Sequence, residues 1–187
     1  PENHLPLAFP LLESPGKKLL SGIPGQSDPA EKIRLFMSLF KGREDVYAKR
    51  WQNREGRAGY APVCRNEWKS PLCRKPAVKC FDCPHQSYAV LDEKVIEAHL
   101  RGNIIAGLYS LRRDETCHLL AIDFDDDGWQ RDCATLREVC VAFGVPVALE
   151  RSRSGNGAHA WFFFADPIPA SLARKSRVTL PTKAARS

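Results

Sequence analysis

The stretch Cys117-His118-Leu119-Leu120-Ala121-Ile122-Asp123-Phe124-Asp125 decides how this chain is read. Its apolar run through Leu119, Leu120, Ala121 and Ile122 reads as a strand, and the run ends in carboxylates at i and i+2. Such positions share one strand face, so Asp123 and Asp125 project together while Phe124 points the other way. Two neighbouring carboxylates repel unless a cation lies between them, and hard oxygen ligands suit Mg2+ or Mn2+. A solvated strand end is the plainer alternative. Asp126 and Asp127 follow at once and read as caps for the next helix.

Downstream, Trp129, Cys133, Leu136, Cys140 and Phe143 lie on one helical face, and Gly144 closes that helix. Cys117, Cys133 and Cys140 read as small buried side chains. Val145 to Arg151 is a strand, Ser152–Gly157 a turn, and Ala160 to Ala165 a strand carrying Trp161 and three phenylalanines. Upstream, Ile104 to Leu111 is another strand candidate, with a turn over Arg112–Thr116. The order strand, helix, strand, turn, strand predicts an α+β fold. It opens a ferredoxin-like, RNA-recognition-motif-like sheet, antiparallel or mixed. One crossover helix between two strands favours adjacent parallel neighbours, which would bring Asp125 and Ser152 to one edge. A second helix and a fourth strand should follow. Ser171–Ser187 is instead basic without a clear strand, so the sheet reads as incomplete at its C-terminal end.

The turn carries its own chemistry. In Arg151-Ser152-Arg153-Ser154-Gly155-Asn156-Gly157-Ala158-His159 the glycines let backbone N–H groups approach an anion. Ser154 adds a hydroxyl, Arg151 and Arg153 add charge, and His159 can donate to a phosphate oxygen. Gly155-x-Gly157 lacks a third glycine and opens no helix, so it is not a dinucleotide fingerprint, and a plain hairpin turn is the alternative.

A third cluster is Cys64-x8-Cys73-x6-Cys80-x2-Cys83, with His85 beside it. Four thiolates with one tight pair suit structural Zn2+ in a segment, 43–90, that shows little periodicity. Tyr47, Trp51, Tyr60 and Trp68 are interspersed there among Arg and Lys. Residues 41–80 hold eleven Lys and Arg against four Asp and Glu, whereas 111–150 hold four against nine. A carboxylate cluster flanked by basic segments suits a polyanionic partner.

The 187 residues, 43% hydrophobic and 27% charged, divide into four parts. Residues 1–28, rich in proline, read as a flexible leader. Residues 29–103 are a helical region with the zinc knuckle at 64–83. Its first helix carries Ile33, Phe36, Met37 and Phe40 behind an Asp28 cap, and its second follows an Asp92 cap. Residues 104–170 form the sheet and 171–187 a basic tail. No apolar run spans a bilayer and no signal-peptide layout opens the chain. Both point to a cytoplasmic protein whose seven cysteines are thiols or metal ligands.

Several motifs together resemble the primase domain of TOTE conflict systems, within the archaeo-eukaryotic primase superfamily. They are Gly42-Arg43-Glu44-Asp45-Val46-Tyr47-Ala48, the cysteine cluster, Ala121 to Asp125, and Glu150 to His159. The resemblance runs from Phe36 to Pro169. It implies a primase-polymerase nucleotidyltransferase, with Asp123 and Asp125 holding Mg2+ or Mn2+ and His159 completing the catalytic set. Ser154, Gly155, Asn156, Gly157, His159, Arg151 and Arg153 would bind the nucleoside triphosphate. A single-stranded DNA template would be the partner, and helicase or nuclease modules would accompany the domain in a full-length protein. The family carries a third metal carboxylate on a later strand. Only Asp166 follows His159, and Glu150 is a local substitute. Residues 171–187 do not look like the family's continuation, so the chain reads as a fragment or a frameshifted product. The alternative function is a non-catalytic, zinc-stabilised nucleic-acid-binding module. An Asp-x-Asp phosphatase would need a downstream Lys and further acids, for which the chain offers only Asp166, Lys175 and Lys183.

Overall fold

The computed structural model describes residues 28–179, so the leader before Asp28 and the tail beyond residue 179 lie outside the described residues. The chain forms two compact units, whose described parts are residues 28–113 and 114–179.

In the first unit, helix α1 (Pro29–Leu39) starts where Asp28 accepts the Ala30 N–H at 3.2 Å, with Pro29 in the first turn. Its Phe36 ring stacks on Phe40 at 4.5 Å and meets His99 of helix α2 (Glu93–Leu100) at 5.8 Å. Asp92 caps α2 by accepting the Val95 N–H at 3.0 Å, and Ile96 is its buried residue. The stretch expected to lack regular structure contains a hairpin, β1 (Ala48–Gln52) and β2 (Ala58–Pro62). Period-2 alternation is hidden there because exposed Lys49 and Gln52 stand among small Ala and Gly residues. The strand candidate 104–111 narrows to β3 (Ala106–Gly107), which pairs with β1 in a sheet ordered β2-β1-β3.

Before β1, Gly42 passes so close to the Tyr109 carbonyl that a Cβ would collide with it, and Arg43 N–H donates to the same oxygen at 2.9 Å. Arg43 then grips Asp45 with two hydrogen bonds, 2.9 and 2.7 Å, and Arg113 adds a third at 2.8 Å. This motif is therefore a clasp between residues 42–45 and 109–113. Arg43, then Arg113, hold the Asp45 carboxyl well below the usual carboxylate range.

The second unit is strand β4 (Thr116–Phe124), helix α3 (Trp129–Ala142), strands β5 (Ala148–Arg151) and β6 (Ala158–Pro169), and helix α4 (Ala170–Thr179). The sheet order is β4-β6-β5, with β6 antiparallel to both neighbours. β4 and β5 thus run the same way but are not adjacent, contrary to the expectation from the crossover. The chain places its most apolar strand in the middle: Ala158, Ala160, Phe162 and Phe164 face the core from β6. Ile122 and Phe124 join them from β4, as do Cys133, Leu136 and Cys140 from α3. Burial pushes the Cys117, Cys133 and Cys140 thiols up, which suits inert packing groups. The stretch 171–187, read as a basic tail without a clear strand, lies partly in α4, whose Ala170 and Ala173 are buried in the same core. Ala170 N–H donates to the Glu115 carbonyl at 2.9 Å. Small alanines made that apolar stripe faint in the sequence.

Candidate functional site

Register builds the site. Asp123 of β4 lies opposite His159 of β6, and His159 lies opposite Glu150 of β5. The three form one row across the sheet, on the face away from Phe124, Ala158 and Ala160, whose side chains fill the core. His159 Nε2 is 3.5 Å from Asp123 Oδ1 and Nδ1 is 3.7 Å from Glu150 Oε2, both within ion-pair reach. Nδ1 is buried without a hydrogen bond. Glu150 is itself fixed: its Oε2 accepts the Trp161 indole N–H at 2.9 Å, and the Trp161 ring lies 5.8 Å from the imidazole. The row therefore presents one imidazole between two carboxylates, with an indole holding one of them.

Asp125 follows directly after the end of β4, at the sheet end where β5 runs into the Ser152–Gly157 turn. That turn is closed by Ser152 N–H to Gly157 O (2.8 Å) and Gly155 N–H to Ser152 O (2.9 Å), with Gly155 at φ +79°. Gly157 is held against β4: a Cβ there would stand 2.5 Å from the Phe124 carbonyl and 3.5 Å from Asp125 Cα. Only glycine lets the turn approach the end of β4 so closely. Ser154 Oγ lies 3.1 Å from Ser152 Oγ and accepts the Asn156 N–H at 3.3 Å. Arg153 is exposed at the turn.

The capping role expected of Asp126 and Asp127 meets a different geometry, and Arg151 makes a contact within the turn. Arg151 pairs with Ala158, on the core side of the row. Its guanidinium donates to the Gly155 carbonyl at 3.2 and 3.0 Å and lies 6.0 Å from the Trp129 ring centre, so it braces the turn from behind. Asp126 and Asp127 do not cap α3. The N-cap is Gly128 at φ +148°, with no side-chain bond, which leaves both carboxylates exposed beside Asp125. Asp166 sits seven residues along β6 from His159, roughly 20 Å away at the usual strand rise, towards the Thr116 end. Glu150, by contrast, belongs to the row. Hairpin register across the Ser152–Gly157 turn was the signal that finds it, since pairing Arg151 with Ala158 sets Glu150 opposite His159.

In the other unit Cys64, Cys73, Cys80 and Cys83 all line one pocket, together with His85, Lys75 and Tyr88. A bridge from Cys64 to Tyr88 closes the loop, and Gln86 donates to the Cys80 and Phe81 carbonyls at 2.6 and 2.8 Å. The Lys75 ammonium bonds Glu67 at 2.6 Å and is raised in pKa first by Glu67, then by Cys80. Among the described residues no three His, Cys, Asp or Glu side chains stand close enough to grip one ion as they lie, at this pocket or at the sheet. The donor chemistry fits a metal in each place: soft thiols around one pocket, hard carboxylates along the row. No helix among the described residues is long and apolar enough to cross a membrane.

No curated protein matches the chain. A family model, TOTE conflict system archaeo-eukaryotic primase domain, matches residues 31–187. The match runs through residues 171–187, which therefore continue the family's sequence and are not foreign to it. With more than four-fifths of its length inside that match, the chain belongs to the archaeo-eukaryotic primase domain family of TOTE conflict systems.

Proposed function

We propose that this domain is a primase-polymerase nucleotidyltransferase, adding nucleotides to a 3′-hydroxyl on a nucleic-acid template. Membership of a primase family implies nucleotide and nucleic-acid binding. The observation that carries the finer reading is the Asp123–His159–Glu150 row at the sheet end that bears the glycine turn. The strand-helix-strand-strand-helix order with a split parallel pair supports an RNA-recognition-motif-like sheet, lacking its last strand among the described residues.

In this reading Asp123 and Asp125 hold Mg2+ or Mn2+, which when bound polarises the attacking and leaving oxygens of in-line phosphoryl transfer. Backbone N–H groups of the turn and the Ser154 hydroxyl bind the triphosphate, with Arg153 adding charge. Nε2 of His159 donates to a phosphate oxygen while Glu150, anchored by Trp161, orients the ring from Nδ1. Arg151 serves by keeping the turn in shape. Glu150 is the third carboxylate of this face, in a position Asp166 does not reach. The four cysteines hold a structural Zn2+ that organises the irregular loop, and the basic segment 41–80 contacts the template.

Titration with a nucleoside triphosphate tests the site. Binding should require Mg2+ or Mn2+ and weaken at least tenfold in both Asp123→Ala and His159→Ala. Metal-independent binding that survives both substitutions would falsify the site. The second reading, a binding module without catalysis, gains its support from the remote Asp166. It predicts the same nucleotide binding with no primer extension.

A further inference from the structure

We propose that Trp51 is a base-stacking platform for single-stranded nucleic acid, with Lys49 on the same face of the β1–β2 hairpin to meet the phosphate backbone. The proposal rests on the primase reading only for the kind of polymer expected; its geometry lies entirely in the first unit.

Trp51 pairs with Gly59 across the hairpin. A Cβ added at Gly59 would lie 3.0 Å from Trp51 Cζ2, 3.2 Å from Cε2 and 3.3 Å from Nε1. Cε2 is recessed between the other two atoms at the ring's edge. These distances put the added Cβ out of the ring plane and beside the Cζ2–Nε1 edge, so that edge of the indole lies over the glycine. That edge of the ring is thus seated on bare backbone, and the residue is still 47% exposed. The exposed part of the indole leaves a large apolar ring surface open to a stacking partner.

The surroundings select a polyanion. Lys49, two residues away and on the same face by strand alternation, is exposed, and so are Arg54 and Arg57 at the turn. Over residues 48–62 the acid is Glu55, 4.0 Å from Arg57. The turn is rigid: Asn53 Oδ1 accepts the N–H groups of Glu55 (3.1 Å) and Arg57 (2.8 Å), and Gly56 takes φ +83°. An indole seated against a glycine, with cations along the same hairpin, is the pairing that single-stranded nucleic acid uses, because every base has a π-face and every linkage a charge. Tyr60 covers Gly107 from the other face of the hairpin, close to the buried Ala48, and offers less ring area.

The test compares a fluorescent oligo(dT) with an abasic oligonucleotide of equal length, by anisotropy on the full chain. Trp51→Ala should weaken oligo(dT) binding roughly five- to a hundredfold and leave abasic binding within about twofold. Trp51→Phe should recover part of the loss, which guards against a merely misfolded hairpin. Gly59→Ala, which lifts the ring without touching its chemistry, should mimic Trp51→Ala on oligo(dT) alone. Arg54→Ala with Arg57→Ala should weaken both oligonucleotides alike. An equal loss on both oligonucleotides in Trp51→Ala, or no loss on either, overturns the platform. Metal-dependent triphosphate binding measured in Trp51→Ala separates the two readings. Its absence in the parent chain alongside intact base discrimination condemns the sheet site and spares the hairpin.

Discussion

The two units reach order by different means. Residues 114–179 bury a continuous apolar core between one sheet and two helices, with Ala160 and Cys140 at 0% exposure. Residues 28–113 bury little: Val46, Tyr47, Ala48 and Ile96 are their buried apolar residues. In their place stand the Arg43–Asp45–Arg113 clasp, the pocket of four cysteines and a set of side-chain-to-backbone bonds. A unit with a small core needs staples, whereas a packed one tolerates the loss of any surface contact. The sheet can therefore carry an exposed row of polar groups on one face without endangering its fold.

The largest effect that would break this contrast is metal loss. With Zn2+ in the cysteine pocket, Cys80→Ser or a strong chelator should unfold residues 28–113 while the sheet keeps its protection from hydrogen exchange. Binding of a structural zinc is worth on the order of 10 kcal/mol, far more than so small a core supplies. Purified protein should hold about one zinc per chain. Exchange protection unchanged by chelation would remove the contrast altogether.

Next comes the core itself. Phe162→Ala deletes a ring at 5% exposure from the central strand and should cost about 3–5 kcal/mol, read from chemical denaturation of the 114–179 unit. A cost below about 1 kcal/mol would mean that the sheet is not held by its packing.

This difference also explains what was legible in the sequence. Packing writes periodicity, so α3, β4 and β6 could be read from Trp129, Leu136, Ile122 and the phenylalanine run. Both helix caps, Asp28 and Asp92, were legible because capping is local chemistry. Staples leave no period, and the β1–β2 hairpin went unseen. The order of strands was also hidden. Insertion of β6 between β4 and β5 is a tertiary choice that places the most apolar strand centrally, and no local rule encodes it. α4 was lost because Ala170 and Ala173 bury small side chains beneath a basic surface. Within the site, Asp123, Asp125, Ser154 and His159 stood out as residue types at telling spacings. The place of Glu150 beside His159 required register, and the turning of Arg151 to the Gly155 carbonyl required the folded hairpin.

A smaller effect sharpens the site half of the comparison. Gly157→Ala forces a Cβ against the Phe124 carbonyl and pushes the turn away from Asp125. The local overpacking should cost roughly 1–3 kcal/mol, and triphosphate affinity should fall about tenfold or more. Glu150→Gln keeps the bond from Trp161 but removes the charge facing His159, and should weaken the triphosphate by less. Should Gly157→Ala bind the nucleotide normally, the close approach of turn and strand has no part in recognition.

The smallest effect is the pH response of the clasp. Asp45 is held as a carboxylate by Arg43 and Arg113, so its folded pKa lies below its unfolded value near 4. A depressed carboxylate pKa contributes stability above the unfolded pKa, and that contribution is lost as pH falls through the folded one. The carboxylate is 42% exposed, so solvent screening limits the whole contribution to about 1 kcal/mol or less. Thermal unfolding of the parent and of Asp45→Asn should differ by a constant small amount from neutral pH down to about 5. The two curves should then converge as pH falls below about 4. Because the clasp joins residues 42–45 to 109–113 and not to the sheet, only the melting of residues 28–113 should show the convergence. If the curves instead separate further in acid, Asp45 is protonated more readily in the folded protein, and the clasp is not an ion pair.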